Sequence, residues 1–477
     1  MTGERLNAAS LARLPPAVAR PRYDRRAITP GIVHLGIGAF HRAHQAMYVD
    51  DALAAGERDW GITGVSLRSG DVREALAPQD GLYTLAVRDA EGTKLRVIGS
   101  VGEVLVAAQS AEAVLARMSE PAVRIVSLTV TEKGYCRDAA GDLDMANAGI
   151  RADLADIDHP RTAIGFLVAA LKRRRAAGGA PFTVLSCDNL PANGRTTRHV
   201  LAQFAGALSP DLAAFIEGEV ACPSTMVDRI VPATTDADRA AVDAALGLSD
   251  AWPVISEPFS QWVIEDSFTA GRPRFETAGC EMVADVTPYE DMKLRLLNGA
   301  HSSLAYLGAL AGLETVAEAI ATPELKAFVV ALMGDAAATL AGIEDEDIER
   351  YRAALLARFA NPALKHRLRQ IAMDGSQKLP QRLLSAVRAR LAIGLPVTRH
   401  ALSVAAWMTF ARRGDKLDDP LAEAIASAAH AGPAALLRLS AIFGDLAGEP
   451  RFSGAVTRQY AAIAAAGPLG AAAAAAR

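Results

Sequence analysis

Cysteine is scarce in this chain of 477 residues: Cys136, Cys187, Cys222 and Cys280 are widely spaced, with no CxxC pair. That pattern excludes a disulfide-stapled scaffold and zinc-ribbon chemistry, and it fits free thiols in a reducing, cytoplasmic compartment. Neither sign of charge dominates: 50 Lys and Arg face 54 Asp and Glu, for a net charge of −4. Nucleic acid is offered no broad basic footprint. No run reaches the ~18 apolar residues of a bilayer span, and the N-terminal stretch lacks the apolar core of a signal peptide. The histidines form no HExxH, and there is neither a GxSxG elbow nor a P-loop. Zinc-dependent alcohol dehydrogenase chemistry is therefore disfavoured, and no metal is expected.

What the sequence does have is alanine, on which its hydrophobic share of 51% largely rests. That points to helices rather than to membrane. From about Pro30 to Cys187, β-rich runs alternate with helical ones. Strands are predicted at 32–35, 61–67, 82–87, 123–129 and 182–186. Between them AHQAMYVDDALAAG, AEAVLARMS and RTAIGFLVAALKRRRAAG carry apolar residues at helical spacing. The alternation predicts an α/β class with a doubly wound, Rossmann-like, mostly parallel sheet. After about Thr287, helical patterns follow one another with breaks at Pro323, Pro362, Pro380 and Pro396. The predicted organisation is a cofactor-binding α/β domain over 1–286 and a mainly α-helical domain over 287–477, with the active site in the cleft between them. The alanine run 471–476 carries no legible function.

Residues 31–44, GIVHLGIGAFHRAH, read as a strand, a Gly-x-Gly turn and a helix start. Gly36 permits a tight turn, and Gly38 lets backbone approach a pyrophosphate at the helix N-terminus. With Phe40, they are the candidate dinucleotide contacts. The third glycine of the usual fingerprint is missing, and His41 stands in its place. The bland alternative is a purely structural turn. At the end of the next strand, GVSLRSGD, Arg68 comes first and Asp71 three residues later. An acid there favours NAD and an arginine favours NADP, so NAD is expected with NADP left open.

The most informative stretch is 288–306, PYEDMKLRLLNGAHSSLAY. Read as an α-helix with Lys293 at zero, His301 falls near ~80° and Asn298 near ~140°. Leu304, Leu297 and Leu294 share that arc. Arg295, Gly299, Ser302, Ser303 and Tyr306 lie opposite. A lysine on an inward-facing apolar arc is expensive unless it is paired or has work to do, and burial lowers its pKa toward that of a general base. The alternative is a lysine that snorkels, with His301 hydrogen-bonded in the core. A second cluster, SCDNLPANG at 186–194, follows a strand where open α/β sheets bind ligands, and Asn189 is placed to donate to an alkoxide or carbonyl oxygen. Asn193-Gly194 reads as a plain turn. In a third, MVDRI at 226–230, Asp228 and Arg229 interrupt an apolar run, for which a structural ion pair is the plain account.

At these residues the sequence resembles the mannitol dehydrogenase family of polyol-specific long-chain dehydrogenases. The resemblance spans nearly the whole chain, through IVHLGIGAFHRAHQA, TVTEKGY, SCDNLPANG, MVDRIVP, the Lys293–Asn298–His301 spacing and DGSQKLPQR. It implies a metal-free mechanism on a Rossmann-like domain joined to a helical one. Lys293 would be the acid/base, and Asn189 and Asn298 would stabilise the oxyanion. His301, Lys378 and Asp228 would contact substrate, and Glu290 would pass protons outward. GVSLRS, LAPQDGLYTL and TVTEKGYC look closer to fructuronate reductases (mannonate oxidoreductases) than to mannitol 2-dehydrogenases. The latter more often read TEGGY, so Lys133 would suit a substrate carboxylate, unless it is a solvated loop lysine.

The expectation is therefore an enzyme that transfers hydride between NAD(H) and a six-carbon sugar acid, D-fructuronate/D-mannonate first, acting as a monomer or homodimer. A 2-dehydrogenase of mannitol, arabinitol or sorbitol is the alternative. Lys133 and the arginines Arg367, Arg369, Arg382 and Arg399 discriminate between them. A non-catalytic cofactor sensor would keep the glycine turn without needing Lys293, Asn189 and Asn298 together.

Overall fold

The strand runs of the first half are buried on both faces, which is why they read as nearly continuous apolar segments. In the computed structural model, which describes residues 4–363, 366–413 and 417–477, these runs belong to a unit ending at Thr287; a second compact unit begins at Pro288. Among the described residues the first unit has β1 (Pro30–Leu35), β2 (Gly61–Ser66), β3 (Tyr83–Asp89), β4 (Gly92–Ile98), β5 (Val101–Val106), β6 (Ile125–Leu128), β7 (Thr183–Ser186), β8 (Thr225–Asp228), β9 (Val254–Ser256), β10 (Gln261–Glu265) and β11 (Glu281–Val283).

The main sheet is parallel, in the order β5-β2-β1-β6-β7. Renumbered along the sheet-forming chain, that is 3-2-1-4-5, the doubly wound order whose reversal point lies at β1. Side chains alternate between two covered faces. Val33, Val65, Val126 and Val184 pack with Val114, Leu115, Phe166 and Leu167 of the helices Ala111–Ser119 and Ala163–Ala176. Ile32, Ile62, Ile125 and Leu185 pack on the other side with Val49 and Leu53 of the helix Gln45–Ala54. Each such side chain, fully buried, contributes about 1.5–3 kcal/mol.

Of the predicted strands, 32–35, 61–67, 123–129 and 182–186 are β1, β2, β6 and β7. The run at 82–87 is a strand too, but β3 lies in a separate sheet, β4-β3-β9. The fifth strand of the main sheet is β5, which sequence reasoning passed over. It is the edge strand, with Gly102 and Glu103 exposed, so it lacks the continuous apolar character of its neighbours. A third sheet, β11-β10-β8, ends near Asp228.

The second unit contains no strand among its described residues. Its helix Gly299–Leu310 is buried along almost its whole length, and Ser303 Oγ lies 2.7 Å from Ser403 Oγ of the helix Thr398–Arg412. Pro323 opens a helix, Pro362 follows one, and Pro396 lies between two. Pro380 does not break its helix. A proline lacks the donor for an α turn, and here the helical run from Gly375 to Ala392 widens into a π turn over Pro380–Leu384 and continues. The terminal alanines belong to the helix Pro450–Ala476, which kinks at Gly467. Ala471 and Ala472 are buried, and Arg399 Nε donates to the Ala475 carbonyl at 2.8 Å. Those alanines are therefore packing residues. No helix among the described residues is long and apolar enough to cross a membrane.

Candidate active site

At the carboxyl end of β1 the chain turns sharply. Gly36 has φ +97°, and a Cβ there would lie 2.2 Å from the Thr129 carbonyl oxygen, so no other residue fits. Gly38 precedes the helix Ala39–Ala43; around it a Cβ would meet nothing nearer than the Gly36 oxygen at 3.8 Å. That leaves an open backbone edge at the sheet's reversal point, which suits a dinucleotide pyrophosphate. Phe40 is half-buried, with its ring stacked on His44 at 5.1 Å.

His41 is no mere defect in the glycine fingerprint. Its ring stacks on His34 of β1, centroids 3.4 Å apart. His34 is held by Ser127 Oγ and Thr129 Oγ1, each at 2.8 Å. Burial lowers both imidazoles, His34 to about 3 and His41 well below its ordinary value, so the stack is uncharged at neutral pH. At the end of β2, Arg68 is exposed, whereas Asp71 opens the helix Asp71–Leu76, where its charge complements the helix N-terminus. Only Arg68 therefore stands at the strand tip.

The ends of β6 and β7 are joined by one carboxylate. Asp188 accepts the backbone N–H of Val130 at 3.0 Å and of Thr131 at 2.8 Å, and the Tyr135 hydroxyl at 2.8 Å. Thr131 is held at φ +65°, a strained conformation for a β-branched residue. Asp188 thus shapes the turn that carries Lys133, which is exposed. Asn189 follows it, exposed, at the carboxyl end of the sheet.

Asn193-Gly194 is not a turn; it begins the helix Asn193–Leu208. The Asn193 amide donates to the carbonyls of Asp188 and Thr225 and accepts from Thr225 N–H, tying β7 to β8. Gly194 is needed because a Cβ would lie 2.3 Å from the Cys222 carbonyl oxygen. In MVDRI the arginine is satisfied by backbone. Arg229 donates to the carbonyls of Ala43 and Glu257, while Asp228 is buried at the end of β8.

From 287 to 310 the chain is helical but not one α-helix. Lys293–Asn298 forms a π turn between α-helical segments Thr287–Met292 and Gly299–Leu310. A π turn advances less per residue than the ~100° of an α-helix, so the angles computed at α pitch do not carry across it. The two-faced reading fails as well. Gly299, Ser302, Ser303 and Tyr306, expected opposite the buried arc, are themselves buried, because this helix runs through the centre of its unit. Lys293 and Glu290 are half-buried, and Asn298 is buried.

His301 is 6% exposed, and its Nε2 has no hydrogen-bond partner. Its ring lies 4.7 Å from Phe359 and 5.0 Å, edge-on, from His366. Burial lowers its pKa far below the ordinary value, and His366, Arg382 and Arg358 push it further the same way. Lys378 is lowered by burial and then by Arg382, although Asp374, 3.6 Å away, opposes this. The structure thus brings His301, His366, Arg358, Arg382 and Lys378 together, with Asp374 and Asp419 acting on the last; of the four arginines that the sequence singles out, only Arg382 is among them. Among the described residues, no three His, Cys, Asp or Glu side chains are placed to hold a metal ion.

Comparison with known proteins accounts for both units. The model of the mannitol dehydrogenase Rossmann domain matches residues 30–277, and that of the mannitol dehydrogenase C-terminal domain matches residues 285–464. The D-mannonate oxidoreductase of Escherichia coli (strain K12) is 47% identical over 93% of this chain and 95% of that relative. A mannitol 2-dehydrogenase of Pyrenophora tritici-repentis (strain Pt-1C-BFP) is 43% identical over 92% of this chain and 80% of that relative. Among solved structures, the Pseudomonas fluorescens mannitol 2-dehydrogenase in ternary complex with NAD and D-mannitol is 40% identical, with a TM-score of 0.86 over 98% of each chain. With a Rossmann unit and a helical unit each matched along most of its length, the chain belongs to the mannitol dehydrogenase family of oxidoreductases acting on CH–OH groups.

Proposed function

We propose that this enzyme catalyses reversible hydride transfer between NAD(H) and a sugar acid, reducing D-fructuronate to D-mannonate. NAD(H), held at the Gly36–Gly38 turn, supplies or accepts the hydride. In the reducing direction the Asn189 and Asn298 amides donate to the keto oxygen and stabilise the charge that develops on it. Lys293, as ammonium, delivers the proton to that oxygen; in oxidation its neutral amine removes the hydroxyl proton. Glu290 passes the proton outward. His301, Lys378 and Asp228 hold the hydroxyls of the chain.

The observation that favours an acid over a neutral polyol is the charge around His301. Arg358 and Arg382 both bear on its imidazole and on that of His366. Such a field favours an anion. The relationship to D-mannonate oxidoreductase points the same way. A polyol 2-dehydrogenase is the second reading, supported by the solved relative that holds D-mannitol. The test is a screen of fructuronate, fructose, mannonate, mannitol, arabinitol and sorbitol with NAD and NADP, followed by absorbance of the reduced nicotinamide. Preference for fructuronate and mannonate supports the proposal; preference for fructose and a polyol overturns it.

A further inference from the structure

Two π turns interrupt the helices of the second unit, Lys293–Asn298 and Pro380–Leu384. They pack together closely: a Cβ on Gly299 would lie 3.0 Å from the Arg382 carbonyl oxygen. π turns are rare and recur at functional sites, because they shift side chains out of α register at a cost the fold must retain for a reason. The first turn carries Lys293 and Asn298. The second carries Arg382.

Of the arginines in this part of the chain, most have evident duties. Arg399 pairs with Asp335 at 2.9 Å and caps the terminal helix through Ala475. Arg367 and Arg369 are exposed. Arg382 is half-buried, and its one hydrogen bond among the described residues is to Ser302 Oγ at the long limit of 3.5 Å. Among the described residues no carboxylate lies within 4.0 Å of its guanidinium. A half-buried cation whose nearest carboxylate influence, Asp374, is not in contact is costly unless a ligand supplies a counter-ion. A second unsatisfied group lies one residue from Ser302: the buried Nε2 of His301.

We infer that Arg382 is the specificity residue for the anionic end of the substrate, its planar fork receiving the carboxylate of a sugar acid while His301 meets a hydroxyl. This rests on the sugar-acid reading above and adds to it the residue that enforces it. A guanidinium suits the task because two parallel N–H donors match the two carboxylate oxygens, which an ammonium cannot reproduce.

The test compares full-length wild type, Arg382→Gln and Arg382→Lys, each with its melting temperature, using kcat/KM for fructuronate and for fructose with NADH. Arg382→Gln is expected to lower kcat/KM for fructuronate by about 10- to 150-fold, the range for a charge-assisted bond, while fructose changes by less than about threefold. Arg382→Lys is expected to restore part of the loss. It also serves alone if the glutamine variant does not fold, since losing the fork must still lower the fructuronate-to-fructose ratio. Wild type active on fructuronate, with the ratio unchanged in the folded variants, overturns the role of Arg382 and leaves the sugar-acid reading standing. Wild type inactive on every sugar acid overturns both.

Discussion

The rings of His34 and His41 lie face to face, 3.4 Å between centroids and 14° between planes. The contact joins β1 to the helix that follows the Gly36–Gly38 turn, where the third glycine of a dinucleotide fingerprint would ordinarily allow close packing of helix on strand. Here two flat aromatic rings provide it, provided both stay neutral. Arg42 and His44 also bear on His41 and resist its protonation.

Acid should therefore loosen the enzyme earlier than its carboxylates alone would. Four buried imidazoles, His34, His41, His301 and His400, and the half-buried His366 have folded pKa values below the ordinary one, all chiefly through burial. In the unfolded chain each titrates near ~6.5. Between the two values the unfolded state holds more protons, so this stability is fully present above pH ~6.5 and is lost as the pH falls. Well below that point each imidazole contributes a slope of about 1.4 kcal/mol per pH unit. Asp188 and Asp250, raised by burial, carry the opposite sign, but in the lower carboxylate range. Calorimetry from about pH 7.5 to 5.5 should show a falling melting temperature, with a shallower fall in His41→Phe, which keeps the stack. A flat profile in wild type would count against neutral imidazoles as the acid-sensitive element.

Asp188 is expected to matter for stability as well as for the site. Asp188→Ala leaves the part-buried N–H groups of Val130 and Thr131 without their acceptor, while the Tyr135 hydroxyl keeps Ser186 Oγ as a partner. At about 1–3 kcal/mol for an unsatisfied buried group, reduced here because water can reach two part-buried N–H groups and because Thr131 can relax, the loss should be roughly 1–3 kcal/mol. Asp188→Asn retains one acceptor oxygen and should lose less. Urea midpoints decide it: an alanine variant within about 0.5 kcal/mol of wild type, the range of an ordinary surface change, would mean the Thr131 turn stands by itself.

How much of this was legible in the sequence depended on range. β1, β2, β6 and β7 showed because both faces are buried, and Gly36 showed because a strand, a tight turn and a helix start are contiguous. β5 did not, since an edge strand exposes Gly102 and Glu103. Asp188 was visible as a residue but not as a brace, because its partners lie more than fifty positions away. Asn193-Gly194 has the composition of a turn, yet the β8 backbone it contacts is contributed from thirty residues downstream. The π turns have no pattern of their own: PYEDMKLRLLNGAHSSLAY has α-helical spacing, and a proline at 380 reads as a break. Lys293 and Asn298 stood out in the sequence as polar groups in an apolar run. Their geometry did not.

Lys293 is the residue whose loss should separate chemistry from binding. Lys293→Ala is expected to lower turnover by ~10²–10⁴-fold, the usual contribution of a general acid/base, while NADH affinity measured by fluorescence titration stays near that of wild type. Turnover close to wild type in a folded, cofactor-binding variant would remove the lysine from the mechanism.

Lys133 sets the opposite limit. Its side chain is exposed on the turn shaped by Asp188, so any contact with a substrate carboxylate would be made in solvent, where water and salt screen it. Exposed charge pairs contribute only about 0.2–1 kcal/mol, so Lys133→Gly should lower the fructuronate specificity constant by no more than about fivefold and leave fructose unchanged. The effect should shrink further at high ionic strength, because the interaction lies within reach of screening ions. Arg382, half-buried and with no carboxylate in contact among the described residues, should show a larger and less salt-sensitive loss. Measuring both variants at low and high salt therefore ranks the two cations. If Lys133→Gly costs more than Arg382→Gln, and the cost survives salt, the carboxylate is recognised at the TEKGY turn and not at the π turn of the helical unit.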